Sequence, residues 1–184
     1  MKGLVFSLAL ALSVLYVQAD VPLQPDFQQD KIQGKWYCLG LASNSSLFRK
    51  HAKDHMKDSF TTVLTTTDDG NVNVLTTIPK QDRCEKQNRT YIKTDVPGRF
   101  LTKNPRYGED HVHSVVETNY DEYLLAHSTK STGRQVFNIL TMYSRNEDVS
   151  PEVIEKFRAL AHKFEIGDDC IVYLEKADKC TSDD

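Results

Sequence analysis

The segment GKWYCLG, residues 34–40, contains the single tryptophan of the chain and a cysteine two residues after it. Side chains alternate across a β-strand, so Trp36 and Cys38 share one face, and we expect both to point toward the protein interior. We therefore take this segment as the first strand of a β-structure, whose partner strands must come from later in the chain.

Residues 1–19 are typical of a secretory signal peptide. One lysine precedes an apolar run, and small residues stand at a cleavage point after Ala19. The run is shorter than most membrane-spanning helices, so we predict a secreted, extracellular protein with one domain, residues 20–184, and no membrane insertion. The net charge is −3, with both signs interspersed, which gives no reason to expect a nucleic-acid partner.

Seven later segments are rich in strand-forming residues and are separated by turn-forming residues such as DDGN at 68–71. They are residues 60–67, 72–78, 84–94, 99–103, 111–118, 122–129 and 134–144. With the first segment they predict an all-β fold, an eight-stranded up-and-down antiparallel β-barrel, which leaves no exposed sheet edge. The interior of such a barrel is wide enough for one small ligand.

A change of period marks one α-helix near the C-terminus. Ser150-Pro151 is a favourable helix start, apolar residues recur at helical spacing over residues 153–164, and Gly167 is a stop signal. We predict that this helix packs on the outside of the barrel and that a short final strand begins at Cys170. The long polar connection over residues 42–59 predicts a lid.

Cysteines and sequons both agree with secretion. An even number of cysteines in a secreted chain favours disulfides, with three connectivities open for four residues. Asn44 and Asn88 each begin an Asn-X-Ser/Thr sequence and are predicted glycosylation sites. The cysteines are Cys38, Cys84, Cys170 and Cys180.

Three short motifs resemble the signatures of the lipocalin family in order and spacing. They are Gly34-X-Trp36 on the first strand, TNYD at residues 118–121 and TMYSR at residues 141–145, where an arginine follows the last barrel strand. One branch of that family, the lipocalin-type prostaglandin D synthases, is similar in addition over residues 25–46, 114–123 and 140–145.

The resemblance implies both a fold and a function. It implies an eight-stranded calyx that binds and transports small hydrophobic molecules such as retinoids, fatty acids, bile pigments or prostanoids, without a cofactor. It also implies a Cys84–Cys180 disulfide, and a Trp36 that packs under Arg145 at the closed end in a cation–π contact.

The enzymes of the branch isomerise prostaglandin H2 with one cysteine at the calyx mouth, after a methionine. Lys57 occupies that position here, directly after Met56. An amine does not replace the soft thiolate that attacks the endoperoxide, so we expect a carrier protein. The alternative is a prostaglandin-H2 D-isomerase that uses another thiol, for which Cys38 is the candidate catalytic residue.

Cys38 has three open interpretations. The final strand lies against the first in lipocalins, so Cys38 could form a disulfide with Cys170, which the even number of cysteines favours. Its inward direction favours instead a buried free thiol in the calyx. Such a thiol is either inert or reactive toward a bound ligand.

The candidate ligand-binding residues combine strand alternation with the inward positions of the family. His111 and Tyr143 match a histidine and a tyrosine of the resembling calyx, and Met56 is expected at the mouth. Apolar walls with a few hydroxyl groups suit an elongated apolar ligand with one polar end. The other candidates are Cys38, Val74, Thr76, Ile78, Ile139 and Thr141.

Other functional classes have less support in the sequence. A siderophore-binding lipocalin would need a cluster of inward cations, for which Arg89 is one candidate without a clear triad. A signalling lipocalin would contact a cell-surface receptor. His51 and His55 are spaced for one helix face, but without a third ligand we predict a solvated pair and no metal site. We expect a monomer.

Overall fold

The computed structural model describes residues 21–55, 57–80, 83–104, 109–132, 135–177 and 180. Its strands are β1 (Gly34–Ser43), β2 (Phe60–Thr66), β3 (Val72–Pro79), β4 (Cys84–Lys93), β5 (Arg99–Asn104), β6 (Glu109–Thr118), β7 (Tyr123–Thr132), β8 (Gln135–Ser144) and β9 (Ile171–Tyr173). Its α-helices are α1 (Ser46–His55) and α2 (Pro151–Lys163), with 3-10 turns at Gln29–Ile32 and Asp168–Cys170. The predicted signal peptide lies outside the described residues.

Strand β1 closes the barrel. Consecutive strands from β2 to β8 pair with one another, and β1 pairs antiparallel with both β2 and β8. Beyond the stretch that pairs with β2, residues Gly40, Leu41 and Ala42 pair with β9 outside the closed ring. The predicted eight-stranded antiparallel barrel with one final strand is therefore confirmed.

A β-bulge in β1 brings the barrel close to α2. The register of β1 against β8 shifts between Cys38 and Gly40, so the strand accommodates one extra residue there. A Cβ atom on Gly40 would lie 2.9 Å from Met142 Cε and 3.1 Å from Phe157 Cε1. Glycine at this position therefore permits the close approach of the helix to the barrel wall.

Helix α2 packs its apolar side on the outside of the barrel, as predicted. Pro151 is its first residue, and Ser150 precedes it in an extended conformation. Val153 and Phe157 are fully buried in one cluster with Leu140 of β8. Burying these side chains stabilises the helix by about 1.5–3 kcal/mol for each large residue.

The end of α2 differs from the prediction that Gly167 stops it. Glu165 has the left-handed conformation, with φ of 56°, and the Ile166 N–H donates to the Ala161 carbonyl at 3.0 Å. These are the features of a helix C-cap. Gly167 is extended instead and precedes the following 3-10 turn. The left-handed position at the end of the helix, where glycine was expected, is therefore occupied by Glu165.

The predicted lid contains α1, which connects the ends of β1 and β2. Phe48 packs against the cluster of Cys38, Leu41 and Leu174, and Arg49 Nε donates to Cys170 Sγ at 3.2 Å. Helix α1 is thus held against residues near the C-terminus, and its role as a lid stays a prediction. Among the described residues no helix has the length and apolar character needed to span a bilayer.

Candidate functional site: a calyx closed at one end

The closed end of the barrel is built around Trp36. The Arg145 guanidinium carbon lies 3.7 Å from the centre of the indole ring, a close cation–π contact. The Trp36 Nε1–H donates to the Ile32 carbonyl at 2.7 Å. Arg145 also donates to the carbonyls of Lys31, Lys35 and Tyr120, each at 3.0 Å. One arginine therefore joins three segments beneath the barrel.

Gly34 is required by this arrangement. Its φ is 95°, which disfavours other residues, and a Cβ atom there would lie 3.3 Å from Arg145 Nη1. The three sequence motifs thus meet in space, because the TNYD turn supplies the Tyr120 carbonyl that Arg145 bonds. Burial lowers the pKa of Arg145, but the guanidinium stays charged at any physiological pH.

A cavity of about 70 Å³ lies above the closed end, inside the barrel. One water molecule needs only about 10–15 Å³ on this measure, so the cavity is larger than a void left by imperfect packing. No Asp, Glu, Lys or Arg side chain of the described residues lines it. Its lining consists of Ile32, Trp36, Thr62, Leu64, Val72, Val74, Tyr91, Phe100, His113, Ser114, Val115, Leu124, Ala126, Ser128, Thr141 and Tyr143.

His113 is the centre of a neutral polar group on one wall. Its Nε2 shares a hydrogen bond of 2.9 Å with Thr102 Oγ1, and its Nδ1 shares one of 2.8 Å with Ser128 Oγ. The ring stacks on Tyr91 with centroids 4.0 Å apart. Burial, followed by the charges of His111 and Arg89, lowers the pKa of His113 to about 3. At neutral pH the wall therefore presents hydroxyl groups and an uncharged imidazole.

Tyr143 of β8 forms a second polar group, together with Thr141 of the same strand and Thr62 of β2. Burial raises the pKa of its phenol well above the usual value, while hydrogen bonds with Thr141 and Thr62 act the other way. Thr62 Oγ1 lies 3.3 Å from Thr76 Oγ1 on the next strand. The phenol stays protonated, so this side also offers only uncharged donors and acceptors.

The structure brings part of the candidate ligand-binding set to the cavity. Val74, Thr141 and Tyr143 line it, and Thr76 reaches it through its bond with Thr62. Ile78, His111 and Ile139 occupy inward register positions further toward the mouth. Met56 lies outside the described residues. The ligand-binding role of all these residues stays a prediction.

The cavity has members that the sequence did not single out, above all His113, Tyr91 and Ser128. Side chains alternate between the two faces of β4, β6 and β7. One known inward residue in each strand would therefore have been enough to predict that these three side chains point inward. His111 was chosen in place of His113, which shares its face and lies two residues deeper in the calyx.

The structure does not contain a Cys38–Cys170 disulfide, because both cysteines are free and buried. Cys38 lies on the inner face of β1 beside Tyr143, its register partner, whereas Cys170 belongs to the outer cluster under α2. The barrel wall separates the two sulfur atoms. Burial raises the pKa of the Cys38 thiol, which is 0% exposed.

The mouth carries the disulfide that the resemblance implied. Cys84, the first residue of β4, is bonded to Cys180. Lys57 is exposed beside this end, and its carbonyl accepts the Glu175 N–H at 2.7 Å. Lys57 holds the position at which the resemblance implied a catalytic cysteine, and that equivalence stays a prediction.

The predicted glycosylation and metal sites have different surroundings. Asn44 and Asn88 are both exposed, and Asn44 Oδ1 also accepts the Asn138 backbone N–H at 2.9 Å. His51 and His55 both lie in α1, and their interpretation as a solvated pair stays a prediction. In the described part of the chain no three His, Cys, Asp or Glu residues are grouped to hold a metal ion.

Comparison with known proteins agrees with this architecture. The sequence profile of the Lipocalin / cytosolic fatty-acid binding protein family matches residues 33–178. The chain belongs to this family. A protein named Lipocalin from Rhinella marina is 54% identical to this lipocalin over 184 residues, which covers the whole of both chains.

Further relatives of the lipocalin are named for an enzyme activity. Prostaglandin-H2 D-isomerase from Equus caballus is 41% identical over 182 residues, covering 97% of this chain and 93% of the relative. The solved structure of the siderocalin Ex-FABP, which functions through dual ligand specificities, superposes with a TM-score of 0.70 at 24% identity, covering 84% of this chain and 96% of that one. This last likeness shows the fold alone.

Proposed function

We propose that this lipocalin is a secreted carrier that binds small hydrophobic molecules in its calyx. The main support for this proposal is the cavity above Trp36, which has apolar walls and a few neutral polar groups. Burial of apolar ligand surface supplies a gross driving force of about 25 cal/mol per Å². A preformed, rigid barrel lowers the ordering cost that opposes this term.

The distribution of charge supports a ligand with one polar end toward the mouth. The deep cavity holds only uncharged groups, so a charged end placed there would be desolvated without a partner. Arg89 lies opposite Val74 of the cavity wall, two residues closer to the mouth than Tyr91 on the same strand, and its charge lowers the pKa of His113. Retinoids and fatty acids, with an apolar body and one polar end, fit this gradient.

Fluorescence of the single tryptophan tests ligand binding. Trp36 lines the cavity, so titration with retinol, retinoic acid and a long-chain fatty acid should quench its emission with sub-micromolar to micromolar affinity. Ala126→Phe, which fills the cavity, should weaken binding at least about tenfold, whereas Ala159→Phe on the exposed side of α2 should not. Absence of binding by every member of a broad apolar panel would refute the carrier proposal.

We favour a carrier over a prostaglandin-H2 D-isomerase because no accessible thiol stands at the mouth among the described residues. Lys57 replaces the expected cysteine, and the buried Cys38 thiol has a raised pKa, which opposes thiolate formation. The assay is turnover of prostaglandin H2 in the presence of glutathione. Robust turnover that vanishes in Cys38→Ala would overturn the proposal and identify Cys38 as the nucleophile.

Secretion and glycosylation are part of the same proposal. Expression in a secretory cell line should release a protein that begins after Ala19, and enzymatic removal of N-glycans should lower its mass. Asn44→Gln and Asn88→Gln should each remove one glycan. Retention of residues 1–19 in a membrane fraction would contradict this part, and light scattering would test the expected monomer.

A further inference from the structure

A second cleft lies on the outside of the barrel, near its closed end. Its volume is about 480 Å³, within the range of small-molecule sites. Phe27 and Gln29 of the N-terminal segment form one side, and the hairpin over residues 93–100, which joins β4 to β5, forms the other. We call this feature the outer cleft.

The hairpin side of the outer cleft is preorganised. Thr94 Oγ1 donates to the Arg99 carbonyl at 2.8 Å, and the Thr94 N–H also donates to this carbonyl, at 3.3 Å. Gly98 has φ of 79°, and a Cβ atom there would lie 3.3 Å from the Phe27 ring. Glycine at this turn therefore permits the close approach of the hairpin to the Phe27 ring.

The apolar part of the outer cleft is formed by Phe27, Val96 and Phe100. Val96 is 39% exposed, and the rings of Phe27 and Phe100 meet edge to face with centroids 6.3 Å apart. Phe100 lines the calyx cavity as well. One aromatic side chain thus forms the wall between the two spaces.

The polar part of the outer cleft is formed by Arg99, whose Nε atom makes no hydrogen bond within the described residues. This Nε atom is buried, and the Oγ of Ser114, the cross-strand neighbour of Arg99, has no hydrogen-bond partner among those residues either. Ser114 is 2% exposed. No ion pair joins Arg99 to Asp95, the carboxylate of the cleft, and Lys93 adds a second cation to the lining. The charged residues of the lining sum to one positive charge.

We propose that the outer cleft binds a small monocarboxylate with an apolar body, independently of the calyx. The carboxylate accepts hydrogen bonds from the Arg99 guanidinium, the geometry that arginine forms best with planar anions. The apolar body packs on Phe27, Val96 and Phe100. An inorganic anion would leave this apolar surface exposed, so the cleft favours an organic acid.

Amide NMR titration of the full mature chain tests this site. Phenylbutyrate should shift the amides of residues 93–99, which line the outer cleft and not the calyx cavity. Phenylbutanol, which lacks the carboxylate, should bind at least about tenfold more weakly. Arg99→Gln should weaken phenylbutyrate binding by a similar factor, and Arg99→Lys should restore part of it. Lys86→Gln removes an exposed cation from the outer side of β4 and serves as the matched control.

The outcomes separate this proposal from carriage in the calyx. Unchanged Trp36 fluorescence in Arg99→Gln would show that the barrel is intact. Equal affinity for the acid and the alcohol, no effect of Arg99→Gln, or shifts confined to calyx residues such as Val74 and Thr141 would each overturn the outer cleft as a carboxylate site. Of these results, only shifts confined to the calyx would bear on the carrier proposal, which they would support.

Discussion

The two ends of the barrel are stabilised in different ways. At the closed end, Arg145 covers Trp36 and bonds three backbone carbonyls, so one side chain joins segments that are distant in sequence. At the mouth, the C-terminal segment bonds the chain on either side of Asp58 through Glu175 and is joined to β4 by the Cys84–Cys180 disulfide. The closed end depends on buried packing, and the mouth on a covalent link and backbone pairing.

This difference indicates where the calyx can open. A fully buried aromatic side chain with satisfied hydrogen bonds opens only with global unfolding, whereas a surface segment held by a few backbone bonds can open locally. We therefore expect ligand to enter at the mouth while the closed end stays intact. The following experiments test that expectation.

The largest expected effect is at Trp36. Trp36→Ala should lower the free energy of unfolding by about 3–5 kcal/mol, because it removes a large buried side chain and leaves a cavity. Urea unfolding followed by circular dichroism measures the loss without relying on tryptophan fluorescence. Trp36→Phe, which keeps an aromatic ring under Arg145, should lose less, and an equal loss in both variants would contradict the role of the ring.

The disulfide at the mouth should contribute less. Replacing both Cys84 and Cys180 by serine should lower the free energy of unfolding by about 2–4 kcal/mol. Hydrogen exchange should speed up in β4 and at residues 174–177 while remaining slow at Trp36. If exchange at the closed end rises equally, the two ends are not independent.

Between the two ends, His113 should make stability depend on pH. Its pKa in the folded protein, about 3, is below the usual 6.5, so between those values the unfolded state binds more protons. The free energy of unfolding should therefore fall as the pH falls from 6.5, by up to about 1.4 kcal/mol per pH unit from this residue. His113→Gln should reduce the slope of stability against pH, and an unchanged slope would assign it to other groups.

The smallest expected effect is at Cys38. The thiol is 0% exposed with a raised pKa, so iodoacetamide should not label it in the folded protein at neutral pH, and labelling should appear on unfolding. Mass spectrometry of the modified peptides measures both states. Rapid labelling of folded protein would show that the mouth opens as far down as Cys38.

Agreement between sequence and structure is best where contacts are local or belong to a motif. Strand alternation and turn residues predicted all eight barrel strands. The resemblance to the lipocalin signatures implied the contact of Arg145 with Trp36, which the structure contains. The sequence did not indicate that His113 lines the cavity, because His111 and His113 share a face and only their depth in the calyx separates them; the role of His111 stays a prediction. The prediction that Gly167 ends the helix was wrong, because Glu165 has the left-handed conformation at the helix end that the sequence pattern assigned to glycine.

By itself, the sequence determined the barrel strands, the outer helix and the Gly34-X-Trp36 motif on the first strand. Each of these follows from the spacing of residues that are near one another in the chain. Only the tertiary structure decided the state of Cys38 and the existence of the outer cleft. Cys38 lies on one side of a closed wall and Cys170 on the other, a separation that strand alternation alone does not reveal. The outer cleft exists because the N-terminal segment and a distant hairpin meet around Gly98, and contacts between remote segments form only when the whole chain has folded.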